Sequence, residues 1–333
     1  MTLNRRNRYT AIAASFGMLV LILDGKTALS GAAEGVRLCL HVLIPSLFPY
    51  FVLSILLTGA LTGQAVPILR PIVKICGIPK GAESLLAIGM LGGYPVGAQN
   101  TALMHEQGRL SEKDAARMIA FCNNAGPAFI FGILGPMFSN AATPWLLWAI
   151  HITSAIAVGI ILPEKTESAP LQVQKKPLHL TDAMVISLRA IATVCGWVIL
   201  MRMVLEFMDV WFLWFFPQPV QISLCGILEL SNGCIRLANV QDEGLRFLIA
   251  AALLSLGGVC VTLQTVSVTA GISKRFYFPG KLLQCCISII LTAALYPHIP
   301  PVIPLVAAGV GIGCVAALRI YKNSSGIPEM VGV

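Results

Sequence analysis

The chain has 333 residues, 56% of them hydrophobic and 11% charged, with a net charge of +8 and a mean hydropathy of +0.81. A soluble globular domain carries about 25% charged residues, so this composition excludes one: too little charge is present to cover its surface. Lysine and arginine fall mostly between apolar runs, and no basic block has interleaved aromatics, which argues for a positive-inside membrane protein and against a nucleic-acid partner.

Taken in chain order, Arg5, Arg6 and Arg8 precede an apolar run from Tyr9 to Leu23. The pattern imitates a signal peptide, but no small-residue cleavage site comes before Asp24, so a retained helix with a cytoplasmic N-terminus is expected. Apolar segments run over 9–29, 36–62, 84–104, 115–135, 141–162, 181–208, 221–240, 245–272, 281–297 and 301–320. At about 20 residues per crossing they allow eight to ten spans.

If all of them crossed, the linker 163–180, with Lys165, Lys175 and Lys176, would lie outside, against the charge bias. If 84–104 and 221–240 re-enter instead, Arg70, Lys74, Lys80, the linker, Lys274, Arg275, Lys281, Arg319 and Lys322 all face the cytoplasm. The expected fold is therefore an all-α polytopic membrane protein of about eight transmembrane helices plus two re-entrant or broken segments, both termini cytoplasmic. Its divisions are an N-terminal membrane helix (1–30), a first membrane repeat with a connecting helix (31–162), a cytoplasmic linker (163–180), a second membrane repeat (181–273), and C-terminal helices with a short polar tail (274–333) that is expected to be disordered from Tyr321.

Two breaks stand out. Leu91–Ala98 reads LGGYPVGA, followed by Gln99 and Asn100, and Phe121–Ile130 reads FCNNAGPAFI. Hydrocarbon cannot satisfy free backbone groups, so such breaks survive only inside protein or beside a water-filled cavity. The second half has a similar order: ATVCGWVI (Ala192–Ile199), then ELSNGC (Glu229–Cys234), a polar loop, and LSLGGVCVTLQT (Leu254–Thr265). Gly97 then corresponds to Gly233 and Gly126 to Gly257. Three crossings between equivalent helices would oppose the two halves, an inverted repeat of the kind transporters use.

The candidate binding residues follow from the breaks. Gly92, Gly93 and Gly97 permit close backbone approach or positive φ, and Pro95 ends the entering helix. Pro127, behind Gly126, frees a carbonyl one turn back near Asn123. Asn123 and Asn124 need partners, since burying an unbonded amide costs about 2–7 kcal/mol. A solute is one source of them; Tyr94, Gln99, Asn100 or plain interhelical contact is another. Glu229, beside Ser231 and Asn232, is the main acidic residue within an apolar segment. It suits a proton, a cation or an ion pair; Arg202 is one possible partner, although Arg202 and Glu206 are themselves i,i+4 neighbours. Thr262, Gln264 and Thr265 are weaker candidates, because Thr in a membrane helix often bonds its own backbone.

The ten cysteines form no CxxC pair and the five histidines are scattered, so no metal or cofactor is indicated. No nucleophile–base pairing or metal-ligand spacing points to an enzyme. The five tryptophans lie mostly near helix ends, where an interfacial belt explains them.

The order IPSLFPYF (Ile44–Phe51), GMLGGYPVGAQ and GRLSEKDAARMIAFCNNAGPAFIFGILG resembles the sporulation integral membrane protein YlbJ family over about residues 30–320. That family belongs to the broader group with the nucleoside-recognition, or gate, domain. The group includes concentrative nucleoside transporters, the membrane region of the ferrous iron transporter B and the spore maturation proteins A and B. The second half here carries no copy of GYPVGA or NNAGP. The resemblance implies a bacterial cell-membrane protein needed for spore cortex or envelope formation. It does not fix a nucleoside as substrate, since fold analogy does not carry function and no aromatic sandwich flanks the Asn pair. The expected function is a transporter or permease-like protein for a small polar solute or ion, with the lipid bilayer and other sporulation membrane proteins as partners. The alternative is a non-transporting scaffold for envelope assembly.

Overall fold

The computed structural model describes residues 5–61, 66–79, 82–162, 179–296 and 299–324. Lys80 and nearly all of the central linker, with Lys165, Lys175 and Lys176, lie outside the described residues, as do residues 325–333 of the tail. Among the described residues the chain is helical and contains no strand. The elements are α1 (Arg5–Leu23), α2 (Gly25–Leu38), α3 (Ile44–Leu61), α4 (Arg70–Cys76), α5 (Glu83–Leu91), α6 (Val96–Glu106), α7 (Glu112–Met118), α8 (Pro127–Phe129), α9 (Thr143–Ile161), α10 (Leu180–Trp211), α11 (Gln218–Leu228), α12 (Leu230–Arg236), α13 (Glu243–Leu256), α14 (Gly258–Val268), α15 (Tyr277–Leu295) and α16 (Val302–Ser324).

Among the described residues, six stretches are long and apolar enough to cross a bilayer: Gly25–Leu57, Thr143–Ile161, Leu180–Trp211, Glu243–Val268, Tyr277–Leu295 and Val302–Ile320. Arg8–Leu23, Pro127–Met137 and Gln218–Leu228 are apolar but shorter. The protein is an all-α polytopic membrane protein, as its composition requires. Large apolar side chains stay exposed along α1, α10 and α16, Ile22, Leu188 and Ile312 among them, where lipid rather than water is their solvent.

Two boundaries differ from the sequence reading. The first two apolar segments divide at Asp24, because its carboxylate accepts the Thr27 N–H at 3.1 Å and caps α2. α16 also runs through Tyr321 to Ser324, into the segment expected to be disordered.

α2 lies against α10 through Gly31 and Gly35, spaced four apart on one face. A Cβ at Gly31 would stand 2.8 Å from the Met203 Cα, and one at Gly35 2.9 Å from the Ile199 Cα. Small residues at this spacing let membrane helices approach closely, where dispersion rather than the hydrophobic effect holds them.

Both candidate re-entrant segments fold back as hairpins. In the first, α5 and α6 close on each other around the tip 92–95, and Gly89 and Gly97 both abut the Cys122 carbonyl. In the second, α11 and α12 close around Glu229 so tightly that a Cβ on Gly233 would stand 2.1 Å from the Gly226 Cα. Each hairpin is followed by an interrupted helix. The first unwinds over 119–126 between α7 and α8; the second breaks at Gly257 (φ 78°) between α13 and α14.

The structure moves one expected equivalence by a residue. Gly126 packs on Gly93 of the first hairpin, whereas Gly258, not Gly257, packs on Gly226 and Ile227 of the second. Gly257 faces the Tyr94 side chain instead.

Buried apolar side chains form two main clusters. One gathers Leu43, Phe51, Ile130, Leu134, Phe247 and Leu254; the other gathers Cys76, Leu86, Met118, Phe121, Tyr277 and Leu283. The unwound stretch leaves the second cluster at Cys122 and enters the first at Ala125. Asn123 and Asn124 lie between them, fully buried.

Candidate functional site

The breaks build two adjoining environments. The first is a cavity whose lining includes Gly92, Gly93, Tyr94 and Gly126 from the first half and Glu229, Ser231 and Gln264 from the second. The cavity volume open to water is about 50 Å³. One water needs about 10–15 Å³, so the cavity holds a few waters or one small ion at a time.

Among the described residues, Glu229 is the one acidic side chain of this lining. It is 2% exposed and caps α12. One carboxylate oxygen accepts the Ser231 N–H at 3.0 Å; the other accepts the Asn232 N–H at 2.7 Å and the Asn232 side-chain amide at 2.8 Å. A carboxylate accepts about four hydrogen bonds, and the Ser231 hydroxyl stands beside it as a donor in addition to these three. The positive end of α12 compensates part of the charge. Among the described residues no cationic side chain pairs with Glu229. Arg202, the expected alternative, bonds Glu206 at 2.7 Å and approaches Asp209 at 3.5 Å. Asp209 in turn binds Arg236 through two hydrogen bonds of 2.5 and 3.0 Å.

The second environment is a buried polar network behind Tyr94. Tyr94 donates its hydroxyl proton to the Leu254 carbonyl at 3.0 Å. The same oxygen accepts from Lys281 Nζ at 3.3 Å. Asn123 Oδ1 accepts the Ala98 N–H at 3.3 Å, its Nδ2 donates to Thr265 Oγ1 at 2.9 Å, and its backbone carbonyl accepts from Lys281 at 2.5 Å. Asn124 Nδ2 donates to the Phe121 carbonyl at 2.7 Å, while its Oδ1 accepts from Gln284 at 3.0 Å. Two peptide groups of the unwound stretch are thus met by side chains of neighbouring helices, the Asn123 carbonyl by Lys281 and the Ala125 N–H by His151.

His151 belongs to the same network. Its Nε2 accepts the Ala125 N–H at 3.1 Å, which puts the ring proton on Nδ1, 3.4 Å from Ser255 Oγ. That tautomer donates to the serine and does not draw a proton from it, so this Ser–His contact is not an activated nucleophile.

The candidate residues therefore divide. Gly92, Gly93, Tyr94, Gly126, Glu229 and Ser231 line one cavity. Pro95 and Asn232 are buried beside it, and Pro127 opens α8 at the N1 position. Gly97 is a packing position against Cys122, and Asn123 and Asn124 sit in the network, off the cavity lining. Gln99 and Asn100 are not brought in. Gln99 is exposed, and Asn100 donates to the Val96 carbonyl of its own helix at 2.9 Å.

Lys281 was expected in the cytoplasm, and the structure corrects this. α15 begins at Tyr277, and Gly280 lies so close to Ala120 that a Cβ there would stand 2.8 Å from the Ala120 Cβ. This approach carries Lys281 inward to 3% exposure. Gln284, one turn further along α15, is equally hidden and was not singled out by sequence, nor was Tyr277, which donates to Thr265 Oγ1 at 3.3 Å.

No family model matches the chain, and no solved structure matches it. The chain is similar to the sporulation integral membrane protein YlbJ of Bacillus subtilis (strain 168), 27% identical over 338 aligned positions that cover 85% of this chain and 81% of that protein. This similarity over most of both chains supports the resemblance to the sporulation integral membrane protein YlbJ family that the sequence motifs carry.

Proposed function

We propose that the protein is a permease-like component of spore cortex or envelope formation that takes a small polar solute or ion into the cavity between its two halves. One observation carries the reading: breaks from both halves meet at one cavity, and a buried carboxylate with no cationic partner among the described residues lines it. A buried charge without a counter-charge is costly and marks function more often than packing. The matching order of hairpin and interrupted helix supports an inverted repeat, in which the hairpins would move against the interrupted helices to expose the cavity alternately. The cavity volume favours an ion or a very small solute in this conformation; a larger one requires a hairpin to withdraw. The reading assigns the protein no catalytic chemistry.

The test is access. Ser231→Cys, in a background with the native cysteines replaced, is treated with a membrane-impermeant thiosulfonate in right-side-out and inverted vesicles. Labelling from at least one face, slowed when Glu229 is also replaced by a bulky residue, is the expected result. A thiol that reacts only after denaturation overturns the reading and leaves the non-transporting scaffold, which needs no wet path to this position.

A further inference from the structure

Lys281 Nζ is surrounded by four oxygen atoms from three elements. They are the Asn123 carbonyl at 2.5 Å, Gln284 Oε1 at 2.9 Å, the Tyr94 hydroxyl at 3.3 Å and Asn124 Oδ1 at 3.5 Å. All four are neutral, and among the described residues no carboxylate pairs with this ammonium. An ammonium has three protons to give. The shell offers more oxygen than lysine needs, and an all-oxygen shell is what a hard cation selects. The Tyr94 ring adds its face, with Nζ 5.2 Å from the centroid.

We propose that Lys281 is a tethered substitute for a bound monovalent cation: its ammonium fills an oxygen cage where the first hairpin, the unwound stretch and α15 meet, and it fastens the three together without any free ion. The reasoning is physical. The Asn123 carbonyl, freed from its helix, needs a donor where Asn123 and Asn124 are fully buried. A diffusible cation would satisfy it only while bound, whereas a covalently held one cannot leave. The inference uses none of the cavity lining except Tyr94, and it stands whether or not that cavity carries a solute.

The consequence is testable with the purified full chain in detergent. Thermal unfolding is followed in choline chloride and in lithium, sodium and potassium chloride at constant ionic strength. The wild-type midpoint is expected to be the same in all four. Lys281→Ala empties the cage; its midpoint falls in choline and rises again by about 5 °C, saturably, with one alkali ion preferred over the others. Lys281→Met fills the space of the stem without a charge, and it is expected to be destabilised in every salt with no ion response. Three results overturn the proposal: a Lys281→Ala protein as stable as wild type in choline, one that is destabilised but indifferent to all three ions, or a wild-type midpoint that rises saturably with a particular ion. If the alanine variant does not fold, the methionine variant decides, since stability equal to wild type would show that no cation is needed there.

Discussion

The Tyr94 hydroxyl donates to the Leu254 carbonyl at 3.0 Å, so the tip of the first hairpin is fastened to the helix that breaks at Gly257. The two residues are 160 positions apart in the chain, and the bond joins the halves at the edge of the cavity. Tyr94→Phe keeps the ring and removes the bond. It leaves the Leu254 carbonyl without its donor and takes one oxygen from Lys281, and the expected cost is about 1–3 kcal/mol. Chemical or thermal unfolding in detergent reads it; a variant indistinguishable from wild type would show that water replaces the hydroxyl.

Glu229 separates a capping role from a charge role. Glu229→Ala removes the acceptor for three N–H groups at the start of α12 and is expected to cost about 2 kcal/mol. Glu229→Gln keeps one acceptor oxygen and the shape, and the expected loss is about 1 kcal/mol. Under the proposed function, spore formation by a deletion strain carrying Glu229→Gln falls even though the variant accumulates in the membrane. Full complementation at equal protein level would reduce Glu229 to a helix cap.

Close approach makes another prediction. A Cβ at Gly97 would lie 1.9 Å from the Cys122 carbonyl oxygen, while one at Gly17 meets nothing within 4 Å. Gly97→Ala must push backbone against backbone, and a cost of about 3 kcal/mol or more is expected, with little folded protein recovered. Gly17→Ala is expected to change stability by less than about 0.5 kcal/mol. Size-exclusion profiles of detergent extracts from parallel expressions distinguish the two.

Asn123 bridges Ala98 of the first hairpin and Thr265 of the second half. Asn123→Ala strands a buried N–H at Ala98 and is expected to cost about 1–3 kcal/mol. The effect should shrink when Thr265→Val is already present, because one of the two bonds is then gone. A double-mutant cycle reads the coupling, and strict additivity would argue against the bridge.

The sequence made the interruptions visible because glycine, proline and asparagine are conspicuous inside apolar runs. Glu229 was legible for the same reason. Lys281 was not. It follows Lys274 and Arg275, and a positive residue near a segment end reads as a cytoplasmic flank. Only the tight contact of Gly280 with Ala120 turns it inward, and contacts between distant segments leave no local pattern. Gln99 and Asn100 show the converse. Their polarity was plain, but α6 points Gln99 outward and Asn100 bonds its own helix. His151 reads as a lone histidine in an apolar helix until Ala125 is seen to donate to it.

The unwound stretch between the two apolar clusters has a mechanical consequence. Sliding within either cluster would open voids and forfeit dispersion contacts. Across the boundary the chain instead meets its neighbours through amides, hydroxyls, an imidazole and an ammonium. Shear along that plane would strand several buried donors and acceptors at once. The two clusters are thus keyed to each other by direction-specific bonds, and the key lies beside the compartment that both hairpin tips line.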